Sequence, residues 1–468
     1  MSATRHRVAV VGSGIAGLAT AYQLRHDADV VLFEADAHFG GHAHTVDLCL
    51  DGITHGVDTG FLVFNHRTYP GLTALLAELR VATTRSEMSF SVQVPAHGLE
   101  WSGSDLNGVF AQRRNLLRPA FVRMLADLAR FNRLATALAT PSDAAATATS
   151  PDPGRADDFT TAAASVSEPM SIGQFVDHHR FSTAFREWYL LPMLGCIWSC
   201  PTDQMLKFPL ATMLRFCHNH GLIRIHDRPQ WRSVAGGSQQ YVQALVRALP
   251  DARVNSAVTA LRRASAGSAR PGVWLQCHGR SEHFDDVVLA GHTDQSLALL
   301  GTGASTKERK VLGAIKYQAN RAVLHTDSAL LPRRPRAWAA WNYERAPNLA
   351  TEQSSVCLHY LINRLQALPW QRPVIVSLNP CREPAGSEIH GEFRYSHPVF
   401  DQAAIDAQGQ VPTLQGRSGV WFAGAWTRHG FHEDGLQSAT ELVAAMHRQW
   451  RQPQHCADWH PALQARAA

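Results

Sequence analysis

Three glycines near the amino terminus are spaced as G-x-G-x-x-G between an apolar run and an amphipathic stretch. Residues 7–11 form a short apolar run typical of a buried parallel strand, and apolar residues recur at helical spacing after the glycines. Gly12 permits a tight turn, Gly14 permits close approach of backbone to a pyrophosphate, and Gly17 permits close packing of helix on strand. The pattern predicts a βαβ unit with a dinucleotide site.

An acidic residue follows at the position that this unit requires. Residues 29–33 predict a second buried strand, and Glu34 comes at its end, 22 residues after Gly12. A carboxylate there accepts hydrogen bonds from both ribose hydroxyls and repels a 2′-phosphate, so NADP is disfavoured. The remaining residues of the predicted nucleotide site are Ser13, Ile15, Ala16 and Ala35.

The composition is that of a globular protein with more than one core. The chain has 468 residues, of which 45% are hydrophobic and 18% charged, and its net charge is +5. No run of lysines and arginines predicts nucleic-acid binding, although a weak attraction to anionic membranes fits this charge. Eight scattered cysteines favour a reducing compartment. With no stretch long enough to span a bilayer, we expect a cytoplasmic protein, with peripheral contact to the inner membrane as an alternative.

The residues after Glu34 separate FAD from NAD. Residues 39–45, Phe-Gly-Gly-His-Ala-His-Thr, resemble the segment that follows the ribose-binding acid in the flavin amine oxidase and phytoene desaturase superfamily. In that family the segment runs beneath the pyrophosphate and the isoalloxazine ring. The resemblance implies cofactor contacts for Gly40, Gly41, His42 and Thr45. The chain departs from the family at His38 and His42, where arginines are common.

The middle and the end of the chain carry the same resemblance. Residues 420–426 and 430–439 are similar to the family's carboxy-terminal flavin motif, a strand, a glycine-rich turn and a long helix, here expected over 436–450. A helix N-terminus stabilises the negative charge of reduced flavin around N1 and the C2 carbonyl. The resemblance assigns that contact to the amides of Gly435, Leu436 and Gln437, an approach to the ribityl or pyrophosphate portion to Gly424, and an adenine contact to Val258.

A closer resemblance is to bacterial predicted NAD/FAD-binding oxidoreductases associated with cyclopropane and branched fatty acid enzymes. Residues 58–61, 197–199, 219–221 and 430–435 carry it. It implies a lipid or fatty-acyl-like substrate.

The predicted fold class is α/β, with a Rossmann-like FAD-binding domain of discontinuous segments and an α+β substrate domain. Residues 1–80, 225–300 and 405–452 are assigned to the FAD domain, and residues 81–224 and 301–404 to the substrate domain. Residues 139–169 are rich in Ala, Thr, Ser, Pro and Asp and predict a mobile insertion. Residues 453–468 form a tail.

Catalytic candidates lie mainly beside the flavin helix. His432, Glu433 and Asp434 are potential bases, and Phe431 falls where amine oxidases place a tyrosine of their aromatic cage. Lys316 lies where related oxidases carry a lysine near flavin N5. Helix capping is the alternative role for the acids. A zinc cluster of Cys196, Cys200, Cys217, His218 and His220 is disfavoured because the cysteines lie in an apolar run, so no metal is expected.

Three functions follow from this pattern. The first is an FAD-dependent oxidoreductase that dehydrogenates or isomerises a hydrophobic substrate by hydride transfer to flavin N5. The second is an FAD-dependent amine oxidase. The third is a non-catalytic flavin-binding partner of a lipid-modifying complex, which would be favoured if the photoreduced protein were reoxidised by neither substrate, oxygen nor quinone.

The sequence also predicts that the flavin is held without a covalent bond, because no cysteine lies in a Gly-Gly-Cys-Tyr-like segment. Acid precipitation of the purified protein should therefore release all of its yellow colour into the supernatant. Absorbance of the washed pellet measures this, and colour retained in the pellet would contradict it.

Overall fold

The computed structural model describes residues 5–139, 170–199, 201–222, 228–265, 271–346 and 356–451. Nearly all of the insertion predicted over 139–169, and the whole tail over 453–468, lie outside these residues. Within them, no helix has the length and apolar character needed to cross a membrane.

The strands are numbered in chain order. They are β1 His6–Val11, β2 Ala28–Phe33, β3 Thr45–Leu50, β4 Ile53–Asp58, β5 Phe64–Asn65, β6 Thr83–Arg85, β7 Phe90–Val94, β8 Leu99–Ser102, β9 Trp231–Val234, β10 Asp251–Arg253, β11 Val258–Arg263, β12 Val273–Cys277, β13 Arg280–Phe284, β14 Asp286–Leu289, β15 Lys316–His325, β16 Trp341–Glu344, β17 Cys357–Leu361, β18 Ile375–Leu378, β19 Ile389–Val399 and β20 Val420–Phe422.

The α-helices are numbered in the same way. They are α1 Ile15–Leu24, α2 Pro70–Glu78, α3 Leu106–Val109, α4 Pro119–Ala139, α5 Ile172–His178, α6 Thr183–Phe185, α7 Leu191–Trp198, α8 Thr202–Leu206, α9 Leu210–Asn219, α10 Gln239–Arg247, α11 Thr293–Leu300, α12 Thr306–Ala314, α13 Ile362–Leu365, α14 Gln402–Gln408 and α15 His432–Arg451. A π-helical turn, Arg186–Leu190, joins α6 to α7.

A five-stranded parallel sheet forms the first layer. Its order is β10-β2-β1-β14-β20, so it combines strands from the beginning, the middle and the end of the chain. The strands β1, β2, β14 and β20 are short apolar runs because both faces of the sheet are covered. This sheet and its crossover helix α1 are the βαβ unit that the glycine spacing predicts.

A seven-stranded, largely antiparallel sheet forms the second layer. Its order is β19-β15-β18-β17-β16-β7-β8, and only the β16–β7 pair is parallel. Smaller sheets are β3-β4, β5-β9-β6 and β11-β12-β13. The parallel and the seven-stranded sheets together make the mixed α/β fold that was predicted, whereas the predicted domain boundaries stay a prediction.

Two elements differ from the sequence-based expectation. The sequence of residues 105–135 predicts one helix, but the structure interrupts it, because Asp105 caps the short helix α3 and Pro119 begins a new helix after a 3₁₀ turn at Arg113–Leu117. The apolar pattern of residues 254–261 predicts one strand, whereas β11 begins only at Val258, after a turn in which Asn255 lies in the left-handed region with φ of 49°. In both cases a local turn ends the apolar periodicity.

A buried aspartate joins distant parts of the chain. The Asp58 carboxylate accepts hydrogen bonds from the Thr45 hydroxyl at 2.6 Å, the Ser238 amide at 2.9 Å and the Gln366 side-chain amide at 2.8 Å. Burial raises the pKa of Asp58 to about 6, and the bonds from Thr45 and Ser238 oppose that rise. One carboxylate thus connects β4 with the segments before α10 and after α13.

Substitution of Asp58 by alanine should destabilise the protein by about 3 kcal/mol, because it leaves several buried donors without an acceptor. Urea unfolding followed by circular dichroism measures the change. Asp47→Ala on the exposed edge of β3 is the control and should unfold like the native chain. Equal midpoints for the two variants would contradict the structural role of Asp58.

Candidate functional site

A cavity of about 1720 Å³ lies between the two large sheets. One end is formed by the turn between β1 and α1 together with Glu34 and residues 40–44. The other end reaches Trp101 and helix α4, and Phe431 and His432 line the wall between them. The volume is large enough for a dinucleotide and a substrate together.

The β1–α1 turn has the geometry of a phosphate-binding site. Gly12 has φ of 99°, and a Cβ on Gly17 would lie 1.8 Å from the Gly12 carbonyl oxygen, so neither position accepts a side chain. A Cβ on Gly14, in contrast, would meet no atom within 4 Å, because it would point into the cavity. The space reserved above Gly14 at the N-terminus of α1 suits a pyrophosphate.

Glu34 both fixes this turn and faces the cavity. Its carboxylate accepts hydrogen bonds from the Ser13 amide and the Asp36 amide, each at 2.9 Å, and from the Ser13 hydroxyl. It is buried yet lines the cavity. Its remaining lone pairs lie where a ribose of a bound dinucleotide would donate hydroxyl protons.

The segment that contains Gly40 and Gly41 packs against the β1–α1 turn. The Gly40 amide donates to the Ser13 carbonyl at 3.2 Å, and a Cβ on Gly41 would lie 3.2 Å from the Gly14 Cα. Next to it, the His42 Nε2 is buried and has no hydrogen-bond partner. Burial, with His397 and His292 nearby, holds the pKa of His42 well below its usual value. A neutral imidazole with a free nitrogen at the cavity fits a polar atom of a cofactor.

The carboxy-terminal helix begins earlier than the sequence predicts. Helix α15 starts at His432 rather than near residue 436, because the Asp434 carboxylate accepts the Phe431 amide proton at 2.9 Å. The Gly435 amide already donates to the Phe431 carbonyl. The flavin contact assigned to the Gly435, Leu436 and Gln437 amides is therefore corrected: these residues follow the first turn, and the helix N-terminus that faces the cavity is at His432.

Gly435 and Gly424 serve close packing instead. A Cβ on Gly435 would lie 2.7 Å from Ile15 Cγ2, so this glycine allows α15 to approach α1. A Cβ on Gly424 would lie 2.3 Å from the Trp426 indole nitrogen, and the Gly424 amide donates to the Ser438 hydroxyl at 2.9 Å. Gly424 still lines the cavity.

The two acids proposed as bases have structural partners. The Glu433 carboxylate accepts the Gly71 and Leu72 amides at 2.8 and 2.9 Å and so caps α2. Asp434 caps α15, and burial raises its pKa to about 7. Neither side chain lines the cavity. The catalytic assignment is corrected for both residues, and helix capping is the role that the contacts support.

The predicted position of Lys316 near flavin N5 also does not agree with the structure. Its side chain is exposed, and Nζ donates to the Gly313 carbonyl at 2.7 Å, away from the cavity lining. Phe431 and His432 do line the cavity. The His432 Nε2 forms a 2.6 Å hydrogen bond with the Tyr241 hydroxyl. Burial lowers the pKa of His432 to about 3, so the imidazole remains neutral. Catalysis by these two residues stays a prediction.

The cavity brings together most of the predicted cofactor residues but not all. The predicted residues that line it are Gly12, Ser13, Gly14, Ile15, Ala16, Glu34, Gly40, Gly41, His42 and Gly424. Those that do not line it are Gly17, Ala35, Thr45, Val258, Gly435, Leu436 and Gln437. Thr45, for example, is occupied by Asp58 and by the Gln239 amide at 2.9 Å.

His220, considered from the sequence only as a disfavoured zinc ligand, lines the cavity together with Phe431. His220 follows α9, and its Nδ1 lies 3.0 Å from the Phe216 carbonyl oxygen. A carbonyl only accepts, so Nδ1 carries the proton and Nε2 keeps a free lone pair. Burial lowers the pKa of His220 to about 4, with nearby His429 acting in the same direction. The only signal in the sequence was the Asn-His-Gly segment at 219–221.

Of the thiols considered for zinc, Cys200 lies outside the described residues, and within them Cys196 and Cys217 form no metal-ligating set with the histidines. Cys217 contacts the Met213 sulfur at 3.7 Å, and burial raises the pKa of both Cys196 and Cys217. Within the described ranges, the one set with metal-ligating geometry is Glu344, Cys357 and His359. There the His359 ring nitrogen lies 3.0 Å from the Glu344 carboxylate, which already forms an ion pair with Arg382.

Comparison with known proteins agrees with this geometry. A family model described as flavin containing amine oxidoreductase matches residues 15–319, which is more than half of the chain. No curated protein sequence matches significantly. Among solved structures, a protein from Exiguobacterium sp. 255-15 described as a protoporphyrinogen oxidase superposes with a TM-score of 0.64 at 18% identity, over 96% of this chain and 100% of that one.

Two further structures have the same fold. A CLA-producing fatty acid isomerase from P. acnes matches with a TM-score of 0.62 at 14% identity, over 95% of this chain and 99% of that one. Cyclohexylamine oxidase from Brevibacterium oxydans IH-35A matches with a TM-score of 0.62 at 15% identity, over the same shares of 95% and 99%. At such identities these likenesses establish the fold, and with the family model they confirm the predicted fold class and FAD as the cofactor.

Substitution of Gly14 by valine should weaken FAD binding by roughly 100-fold or more, since the branched side chain fills the space above the helix N-terminus that the pyrophosphate needs. Gly303→Val, also in open space but outside the cavity, is the control. The flavin-to-protein absorbance ratio and titration of the FAD-free protein measure the effect. Full FAD occupancy in Gly14→Val would refute the phosphate-turn assignment.

Proposed function

The chain belongs to the flavin-containing amine oxidoreductase family and is an FAD-dependent oxidoreductase, and on that premise we propose that it acts on a hydrophobic, fatty-acyl-like substrate. The proposed reaction removes hydrogen from the chain to form or to shift a double bond. The observation that carries the proposal is the apolar character of the cavity beyond Phe431.

That part of the cavity, here called the substrate chamber, is walled by large apolar and aromatic side chains. Most of them come from α4, the π-helical turn, α7, α9 and the seven-stranded sheet. These side chains are Tyr69, Phe90, Trp101, Leu125, Leu128, Tyr189, Met193, Ile197, Phe216, Leu222, Trp231, Trp341, Tyr360 and Phe431. Such a wall favours an extended apolar substrate, whose burial is driven by the area it removes from water.

The chamber offers little to hold an ammonium group. Among the described residues that line the cavity, the acids are Glu34, Asp36 and Glu87. Glu34 and Asp36 belong to the nucleotide end, and Glu87 is paired with the Arg364 guanidinium at 2.7 Å. Phe431 stacks on Phe216 with ring centroids 4.6 Å apart, which leaves an apolar surface at the position of the amine cage. These features favour a lipid over an amine.

FAD, when bound, supplies the two-electron acceptor for hydride from the substrate. The cofactor would be held by Glu34 and by the backbone at Gly12–Gly14, Gly40–Gly41 and the N-terminus of α15.

Formation of a double bond also releases a proton from the neighbouring carbon, which needs an acceptor. We assign this role to His220 Nε2, which keeps a lone pair because Nδ1 donates to Phe216. The ring is held by stacking on Phe216 at 3.9 Å. Because its pKa is near 4, His220 stays neutral and able to accept a proton at all pH values above that.

Substitution of His220 by phenylalanine should lower turnover by roughly 100-fold or more, the usual contribution of a general base, with FAD content and melting temperature unchanged. The ring stacking is kept, and the Phe216 carbonyl still accepts the residue-220 amide at 3.0 Å. Turnover of the native enzyme should fall as the pH drops through about 4, as His220 becomes protonated.

A panel of unsaturated fatty acids and acyl thioesters, analysed by gas chromatography with mass detection, measures turnover. His55→Phe is the matched control, because His55 Nδ1 also bonds a backbone carbonyl, that of Gly56 at 2.9 Å, but lies outside the cavity. Equal turnover of the two variants would remove His220 from the mechanism. Rapid oxygen-dependent peroxide formation with amines would instead favour the amine oxidase alternative.

A further inference from the structure

Exposed apolar side chains concentrate in one short part of the chain. Leu106 is 77% exposed, Leu116 54%, Leu117 87% and Val122 49%. Of the described large hydrophobic residues that are exposed, only Ile53 and Leu138 lie outside this stretch. Single exposed leucines are ordinary, whereas a group of them marks a surface that meets an apolar partner.

The same stretch is strongly basic. Residues 106–122 contain three arginines, at positions 113, 114 and 118, and no acidic residue. The 3₁₀ turn Pro335–Ala337 packs against α3 and β8 and brings the exposed Arg333 and Arg336 to this surface. We call residues 106–122 together with 333–336 the docking face.

The arginines of the docking face form hydrogen bonds to neutral groups of the protein and keep their positive charge. Arg113 donates to the Asn107 side chain at 3.1 Å, Arg114 to the Gly98 carbonyl at 2.6 Å and Arg118 to the His97 carbonyl at 3.2 Å. These acceptors are neutral, so the bonds orient the three guanidinium groups without neutralising them. Arg334, in contrast, is paired with Glu100.

The docking face includes a place where the cavity reaches the surface. Leu106 is both highly exposed and part of the cavity lining, so the cavity reaches the surface beside it. Ser104 and Val109 line the cavity on either side of Leu106, and Leu125 and Leu128 of α4 line it a little further along the chain. The elements that present leucines and arginines to solvent therefore also wall the chamber.

We propose that the docking face binds the surface of an anionic lipid bilayer. Leucines inserted at the level of the headgroups, with arginines beside anionic phosphates, are the combination that holds peripheral proteins on membranes. A bilayer is favoured over an acidic protein because the arginines share a short segment with several exposed leucines, one of which, Leu106, also lines the cavity. The affinity for a bilayer is independent of the proposed function, whereas transfer of a lipid from the bilayer into the chamber rests on it.

Co-sedimentation of the FAD-loaded full chain with phosphatidylcholine vesicles, with and without phosphatidylglycerol, tests the proposal. The native protein should bind the phosphatidylglycerol vesicles and be released by high salt. Leu116→Ser/Leu117→Ser and Arg113→Glu/Arg114→Glu should each weaken binding by ~10-fold or more. The controls Ile53→Ser and Arg262→Glu/Arg280→Glu alter exposed residues elsewhere and should bind like the native protein. Flavin absorbance shows whether each variant is folded.

Failure of the native protein to bind anionic vesicles, or equal binding by the docking-face variants and the controls, would overturn the proposal. Sedimentation velocity without vesicles tests a second copy of the chain as the occupant: a dimer that Leu116→Ser/Leu117→Ser dissociates would also overturn it. Vesicle binding without turnover of any lipid would leave the docking face standing and refute the proposed function.

Discussion

The structure depends on the close approach of three backbone segments that are far apart in the sequence. Gly41 lies against Gly14, and a Cβ on Gly41 would be only 3.2 Å from the Gly14 Cα. Gly435 lies against Ile15, and a Cβ on Gly435 would be 2.7 Å from the Ile15 Cγ2. Any side chain at these contacts would push the segments apart. Because the contacts converge on the N-terminus of α1, they also create the cavity end that receives the cofactor's phosphates.

Three carboxylates near the cavity stabilise the fold around it. Glu433 caps α2, Asp434 caps α15, and Asp58 connects β4 to α10 and α13. Asp58 and Glu433 are buried, and a buried carboxylate needs several donors to offset its desolvation. The consequence for function is that these acids do not face the substrate chamber, which stays apolar.

Several of the polar side chains that line the cavity are histidines. Burial lowers the pKa values of His42, His220, His397 and His432, so they are neutral at pH 7. Neutral imidazoles combine an apolar ring with one donor and one acceptor, and they can line a largely apolar cavity at little electrostatic cost. His220 is distinct because its Nδ1 donates to the Phe216 carbonyl, which leaves Nε2 as an acceptor on a ring that lines the cavity.

Local sequence was sufficient for the βαβ unit, the turn at Gly12–Gly17, the position of Glu34 at the end of β2, the strands β1, β2 and β20 of the parallel sheet and the flavin family. These features depend on periodicity and on glycine sterics, which act over a few residues. Tertiary structure alone decided that α15 begins at His432, that Glu433 serves α2, that Lys316 is at the surface and that His220 faces the chamber. It also decided which leucines remain exposed beside the cavity mouth. Those outcomes depend on contacts between residues hundreds of positions apart, and no spacing within a single segment encodes them.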